Sequence, residues 1–117
     1  MDINTISITG NLTNEPERIG RKGEDGHITK PLGVKLRVAN NYRTKRGEEW
    51  VDATNYINVV VWGKLGDLVN EYTRTGSKVA ITGELRWREW HTSDEQRRES
   101  LEVHAEDVVF LSPKPTE

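Results

Sequence analysis

Residues 54–90, TNYINVVVWGKLGDLVNEYTRTGSKVAITGELRWREW, change hydrophobic period twice. Over 54–62 the period is two: Ile57, Val59 and Val61 fall on one face, and Tyr56, Asn58, Val60 and Trp62 on the other, as in a strand with one buried side. Leu65, Leu68, Val69 and Tyr72 then recur at i, i+3, i+4 and i+7, the spacing of a helix, with Gly76 soon after to end it. From Lys78 the period returns to two. Val79, Ile81, Gly83 and Leu85 share one face, with Arg86, Arg88 and Trp90 on the opposite one.

Three further strands flank this strand–helix–strand unit. Segments 3–12, 32–41 and 100–111 are rich in Val, Ile and Thr, and the second alternates Val34, Leu36 and Val38 with Lys35 and Arg37. Residues 20–31 and 42–54 read as extended loops, and 91–99 as a polar hairpin connection. Gly10, Gly33 and Gly83 sit inside strand patterns, where a missing Cβ marks a bulge or a sharp bend. Five strands, bent glycines and a single short helix between strands three and four favour a small, mostly β barrel over a sandwich. At 117 residues, with no repeat or low-complexity linker, one domain is expected: residues 1–112, followed by a short C-terminal end at 113–117.

The chain has no Cys, which excludes disulfides, thiolate metal sites and a Cys nucleophile. His27, His91 and His104 are scattered without a metal-ligand or triad pattern, and the glycines at 20, 23 and 26 lack the Lys-Ser/Thr ending of a phosphate-cradling loop. No enzyme, metal or cofactor is expected. The N-terminus MDINTISITG has no leader-like character and no apolar run approaches a membrane span, so a soluble cytoplasmic protein without membrane contact is expected.

The formal net charge of −2 argues against a polyanionic partner, but its distribution reverses that inference. Residues 26–47 carry six basic residues (Lys30, Lys35, Arg37, Arg43, Lys45, Arg46) and no acid, and residues 72–88 carry +3, whereas 48–71 and 99–117 each carry −4. Tyr56 and Trp62 lie opposite the aliphatic face of the third strand, and Arg86, Arg88 and Trp90 lie opposite that of the fourth. A core has no use for this arrangement. Rings to stack on and cations to follow a backbone are what an unpaired nucleic-acid strand requires. Tyr42 and Trp50 flank the basic segment of Arg43, Lys45 and Arg46 and would extend such a groove. Tyr42, however, shares the parity of Val34, Leu36 and Val38 and joins the groove only if the strand bends, and Trp87 shares the parity of Leu85.

Four blocks then identify a family. GNLTNEPE (10–17), NVVVWGKLGDLVNEY (58–72), TGSKVAITGELRWREW (75–90) and LEVHAEDVVFL (101–111) keep the order and spacing of bacterial-type single-stranded DNA-binding proteins, which the chain resembles over nearly its whole length. The resemblance implies a five-stranded oligonucleotide-binding (OB) barrel. It is usually a homotetramer, although a dimer is also open, and it coats single-stranded DNA during replication, repair and recombination. It also implies stacking roles for Tyr42, Tyr56, Trp62 and Trp90, with Lys64, Arg86 and Arg88 along the DNA path. Trp87 and Trp50 are additions to the family's pattern, and Gly66 replaces its usual Ala in the helix. Longer members end in an acidic tip that recruits other proteins. LSPKPTE carries no such tip, so the given sequence resembles either a short form or a longer member cut before its tail, and recruitment through a tip is not expected of it. Lys35, Arg37 and Arg43 complete the expected DNA-contacting set. Two alternatives share the same residues: an adaptor barrel that presents its aromatic face to protein, and a binder of single-stranded RNA, since stacking does not read the 2′-hydroxyl.

Overall fold

Val-rich segments of period two leave rows of backbone donors and acceptors that only neighbouring strands can satisfy, and here they do so by closing on themselves. The computed structural model describes residues 1–115, so the last two residues of the expected end at 113–117 lie outside it. Its elements are β1 (Ile6–Leu12), β2 (Glu17–Lys22), β3 (Ile28–Arg46), β4 (Glu49–Trp62), α1 (Gly63–Tyr72), β5 (Lys78–His91) and β6 (Arg97–Phe110). The strand order is β1-β5-β6-β4-β3-β2, and β1 also pairs with β3. The ring β1-β5-β6-β4-β3 is therefore closed, with β2 attached outside it along the first half of β3. Two short links complete the closure. They are the antiparallel pairing Asn11↔Ala39 and Leu12↔Val38, and the parallel pairing Val59↔Val103 and Val60↔His104. This is the expected five-stranded OB barrel, with α1 between its third and fourth strands.

One parity of each strand fills the interior, and in β6 it switches at the irregularity between Ala105 and Asp107. Val34, Leu36 and Val38 of β3 meet Val59 and Val61 of β4, Val79 and Ile81 of β5, Val103 and Val108 of β6, and Leu12 of β1. From α1, Val69 joins this core. The helix ends at Thr73, whose backbone N–H and hydroxyl both donate to Val69 O, at 3.1 and 2.6 Å. Glycine at 66 costs about 1 kcal/mol in helix propensity. It also lets the helix sit against the barrel: a Cβ there would lie 2.6 Å from Val61 O and 3.4 Å from the Cα of Gly33.

Most of both expected loops is strand instead, with turns kept only at 23–27 and 47–48. Residues 20–22 close β2, residues 28–31 open β3, and residues 42–46 and 49–54 form a regular two-stranded arm around a turn at Gly47, whose φ is 63°. The connection expected at 91–99 is shorter, since His91 pairs with Arg97. These segments extend past the core and have no side to bury, so they show little of the apolar alternation that marks a strand in sequence.

Candidate nucleic-acid interface

Because paired residues of neighbouring strands share a face, the register builds the outer surface directly. Along β3 and β4, Gly33 lies opposite Trp62, Lys35 opposite Val60, Arg37 opposite Asn58 and Ala39 opposite Tyr56. The same parity continues into the arm, with Arg43 opposite Asp52 and Lys45 opposite Trp50. The parallel link carries the face from Val60 to His104 on β6, and the β5–β6 register adds Arg86 opposite Glu102, Arg88 opposite Ser100 and Trp90 opposite Arg98. One continuous face thus runs over β3, β4, β6 and β5. A cleft of about 330 Å³ lies within it, lined by Val60 and Trp62 with Lys35, Arg88 and Glu102.

Two rings on this face, Tyr56 and Trp90, are partnered by cations, and Trp50, Tyr56 and Trp62 are exposed. The guanidinium carbon of Arg37 lies 4.7 Å from the centre of the Tyr56 ring, and that of Arg88 lies 5.0 Å from Trp90. Tyr56 and Trp62 are 59% and 48% exposed, far more than residues packed into a core. A base on such a ring brings its phosphate within reach of the neighbouring guanidinium. Arg86 pairs with Glu84, and Arg43 lies 3.5 Å from Asp52; both contacts are exposed, so solvent screens them and a phosphate can replace them. Trp62 is bracketed by its neighbours. Its Nε1–H donates to His104 Nδ1 at 3.1 Å, and its Cε3 edge lies towards Gly33, where a Cβ would stand only 2.9 Å away. Among the described residues, the ionisable groups with displaced titration, Asp94 and Lys114, lie beyond the ends of β5 and β6. The Thr92 hydroxyl holds Asp94 below the usual carboxylate range, and a hydrogen bond to Glu71 raises Lys114. Among the described residues no cluster of His, Asp or Glu is arranged to hold a metal ion.

Of the expected contact residues, Lys35, Arg37, Arg43, Tyr56, Trp62, Arg86, Arg88 and Trp90 share this face. Lys64 is exposed in the first turn of α1, two residues after Trp62. Two expected contact residues lie on the other side of their strands. Tyr42 pairs with Ala53 in the parity of the core residues, and β3 passes through this region without a register shift, so the bend that would bring it to the outer face is absent. Trp87 lies on the other side of the β5–β6 hairpin, opposite Leu101, with Arg97 5.9 Å above its ring and its Nε1–H donating to Glu99 at 3.3 Å. Conversely, Trp50 belongs to the outer face and is 60% exposed. Counting by twos from Tyr56 back to residue 50 would have placed it there, had 42–54 been read as strand. His104 and Glu102, of opposite parity to the core residue Val103, were missed.

The sequence model of the Single-strand binding protein family matches residues 3–111. A single-stranded DNA-binding protein of Treponema pallidum is 32% identical over 110 residues, covering 94% of this chain and 58% of that protein; the chain spans little more than half its length. One from Caldanaerobacter subterraneus subsp. tengcongensis is 33% identical over 112 residues, or 96% of this chain and 70% of that protein. Among solved structures, Plasmodium falciparum SSB in complex with ssDNA has a TM-score of 0.78 over 96% of this chain and 97% of that one, at 24% identity, which is a likeness of fold. Since the matched stretch takes in every strand of the closed barrel, the chain belongs to the single-strand binding protein family.

Proposed function

We propose that this protein binds single-stranded DNA without a sequence code and thereby covers strands exposed in replication, recombination and repair. Bases stack on Trp50, Tyr56, Trp62 and Trp90, while Lys35, Arg37, Arg43, Lys45 and Arg88 follow the phosphates, with Lys64 and Arg86 at the margins. The observation that carries this reading is the shared parity of rings and cations over β3, β4, β6 and β5. Stacking contributes roughly 1–3 kcal/mol per base and accepts any base, so the face needs no base-edge code, and the reading needs no metal, cofactor or catalytic group. Tyr42 and Trp87, on the opposite side, contact DNA only where a strand wraps over the edge of an arm. The proposal places the protein in the cytoplasm, as a homotetramer; exposed Val109 and Leu111 near the end of β6 offer apolar surface for contact between copies.

Titration with oligo-dT, read by tryptophan emission, tests this. Saturable quenching that weakens as salt rises is expected. Emission indifferent to single strands would overturn the reading, and affinity indifferent to salt would favour an apolar protein contact on the same face.

A further inference from the structure

The outer face contains a chain of hydrogen bonds that base stacking alone does not require. Trp62 Nε1 lies 3.1 Å from His104 Nδ1, and His104 Nε2 lies 3.0 Å from Glu102 Oε1. An indole N–H can only donate, so Nδ1 must be the accepting nitrogen and carry no hydrogen. Nε2 then bears the ring proton and donates it to the carboxylate. The direction of the chain follows from these donor rules: Trp62 to His104 to Glu102, with the imidazole neutral and in one tautomer. Both supporting side chains are well shielded, with His104 20% and Glu102 10% exposed, whereas Trp62 at the outer end is about half exposed.

We propose that His104 and Glu102 are positioning residues for Trp62. Glu102 selects the imidazole tautomer and His104 holds the indole edge, while Gly33 leaves room for the opposite edge. The ring is thereby fixed before DNA arrives, so less rotamer freedom is lost on binding. The inference rests on the reading of Trp62 as a stacking ring.

A coupling experiment tests the proposal, with oligo-dT affinity measured by anisotropy. His104→Leu is expected to weaken binding about threefold to tenfold, the scale of one hydrogen bond. In a W62F background, which keeps a ring but has no N–H, the same change is expected to cost almost nothing. His104→Gln retains binding, because its amide accepts from the indole and donates to Glu102. An equal cost of His104→Leu in both backgrounds overturns the proposal, as does a loss in H104Q as large as that in H104L. If H104L does not fold, H104F, which fills the site with a ring that has no acceptor, takes its place in both backgrounds. Absence of binding by the unaltered protein would overturn the single-strand reading itself, which separates the two failures.

Discussion

Trp62 shows how one side chain serves both the barrel and the groove: its backbone ends β4, its ring edges touch two neighbouring strands, and much of its surface stays accessible. Trp62→Ala is therefore expected to cost roughly 1–3 kcal/mol in single-strand binding, with only a small change in melting temperature, as titration and thermal denaturation would read. Gly33→Ala should do both kinds of damage. A Cβ at 33 meets Trp62 Cε3 at 2.9 Å and Val61 O at 2.7 Å, and the backbone oxygen cannot retreat without disturbing the sheet. A stability loss of about 1–3 kcal/mol is expected, with weaker binding from a displaced indole; an unchanged melting temperature would show that the strands yield. At this scale the sequence was informative where apolar neighbours set the parity. Tyr56, Trp62, Arg86, Arg88 and Trp90 were placed by counting from buried valines, and the same counting already set Tyr42 and Trp87 apart. Family resemblance drew Tyr42 into the contact set, against its parity. The bridge from Trp62 to His104 was not legible, because it spans 42 positions and rests on a two-residue parallel link that leaves no local pattern.

The β3–β4 arm is where the elements differ most from the expectation. Its strands continue the barrel's register beyond the last core pair, Val38↔Ile57, through to Arg46↔Glu49. A strand without a buried face carries polar residues at both parities, so residues 42–54 read as loop. The arm's faces make a discriminating prediction. Trp50→Ala is expected to weaken oligo-dT binding by about 1–3 kcal/mol, and Tyr42→Ala to have a smaller effect. The reverse order would mean that DNA crosses the core-side surface of the arm. Arg43 and Lys45 lie on the Trp50 face. If each neutralises one phosphate, replacing both by Ala lowers the slope of log affinity against log salt by about 1.4. An unchanged slope would remove the arm from the phosphate path while leaving the barrel face intact.

At the scale of the whole molecule, a net charge of −2 gives no general attraction to a polyanion, so binding depends on where the charges lie. Asp67 and Glu71 on α1 are engaged by Arg18 and Lys114, away from the four-strand face that carries most of the basic window. The arms also spread the molecule. Its radius of gyration is 16.3 Å, against about 13 Å for a compact domain of this length, which exposes more strand surface than the small core alone would. A duplex offers this face the same phosphates as a single strand, at higher density, but its bases are already stacked on each other and cannot take up Trp50, Tyr56, Trp62 or Trp90. If cations alone drove binding, duplex DNA would bind at least as well as a single strand. If stacking supplies the difference, two or more engaged rings at roughly 1–3 kcal/mol each favour the single strand by about 30-fold or more. Competition between equal lengths of single-stranded and duplex DNA at about 0.15 M salt measures that ratio directly. A ratio near one would show the face to be a phosphate-binding stripe, on which the aromatic residues serve some other contact.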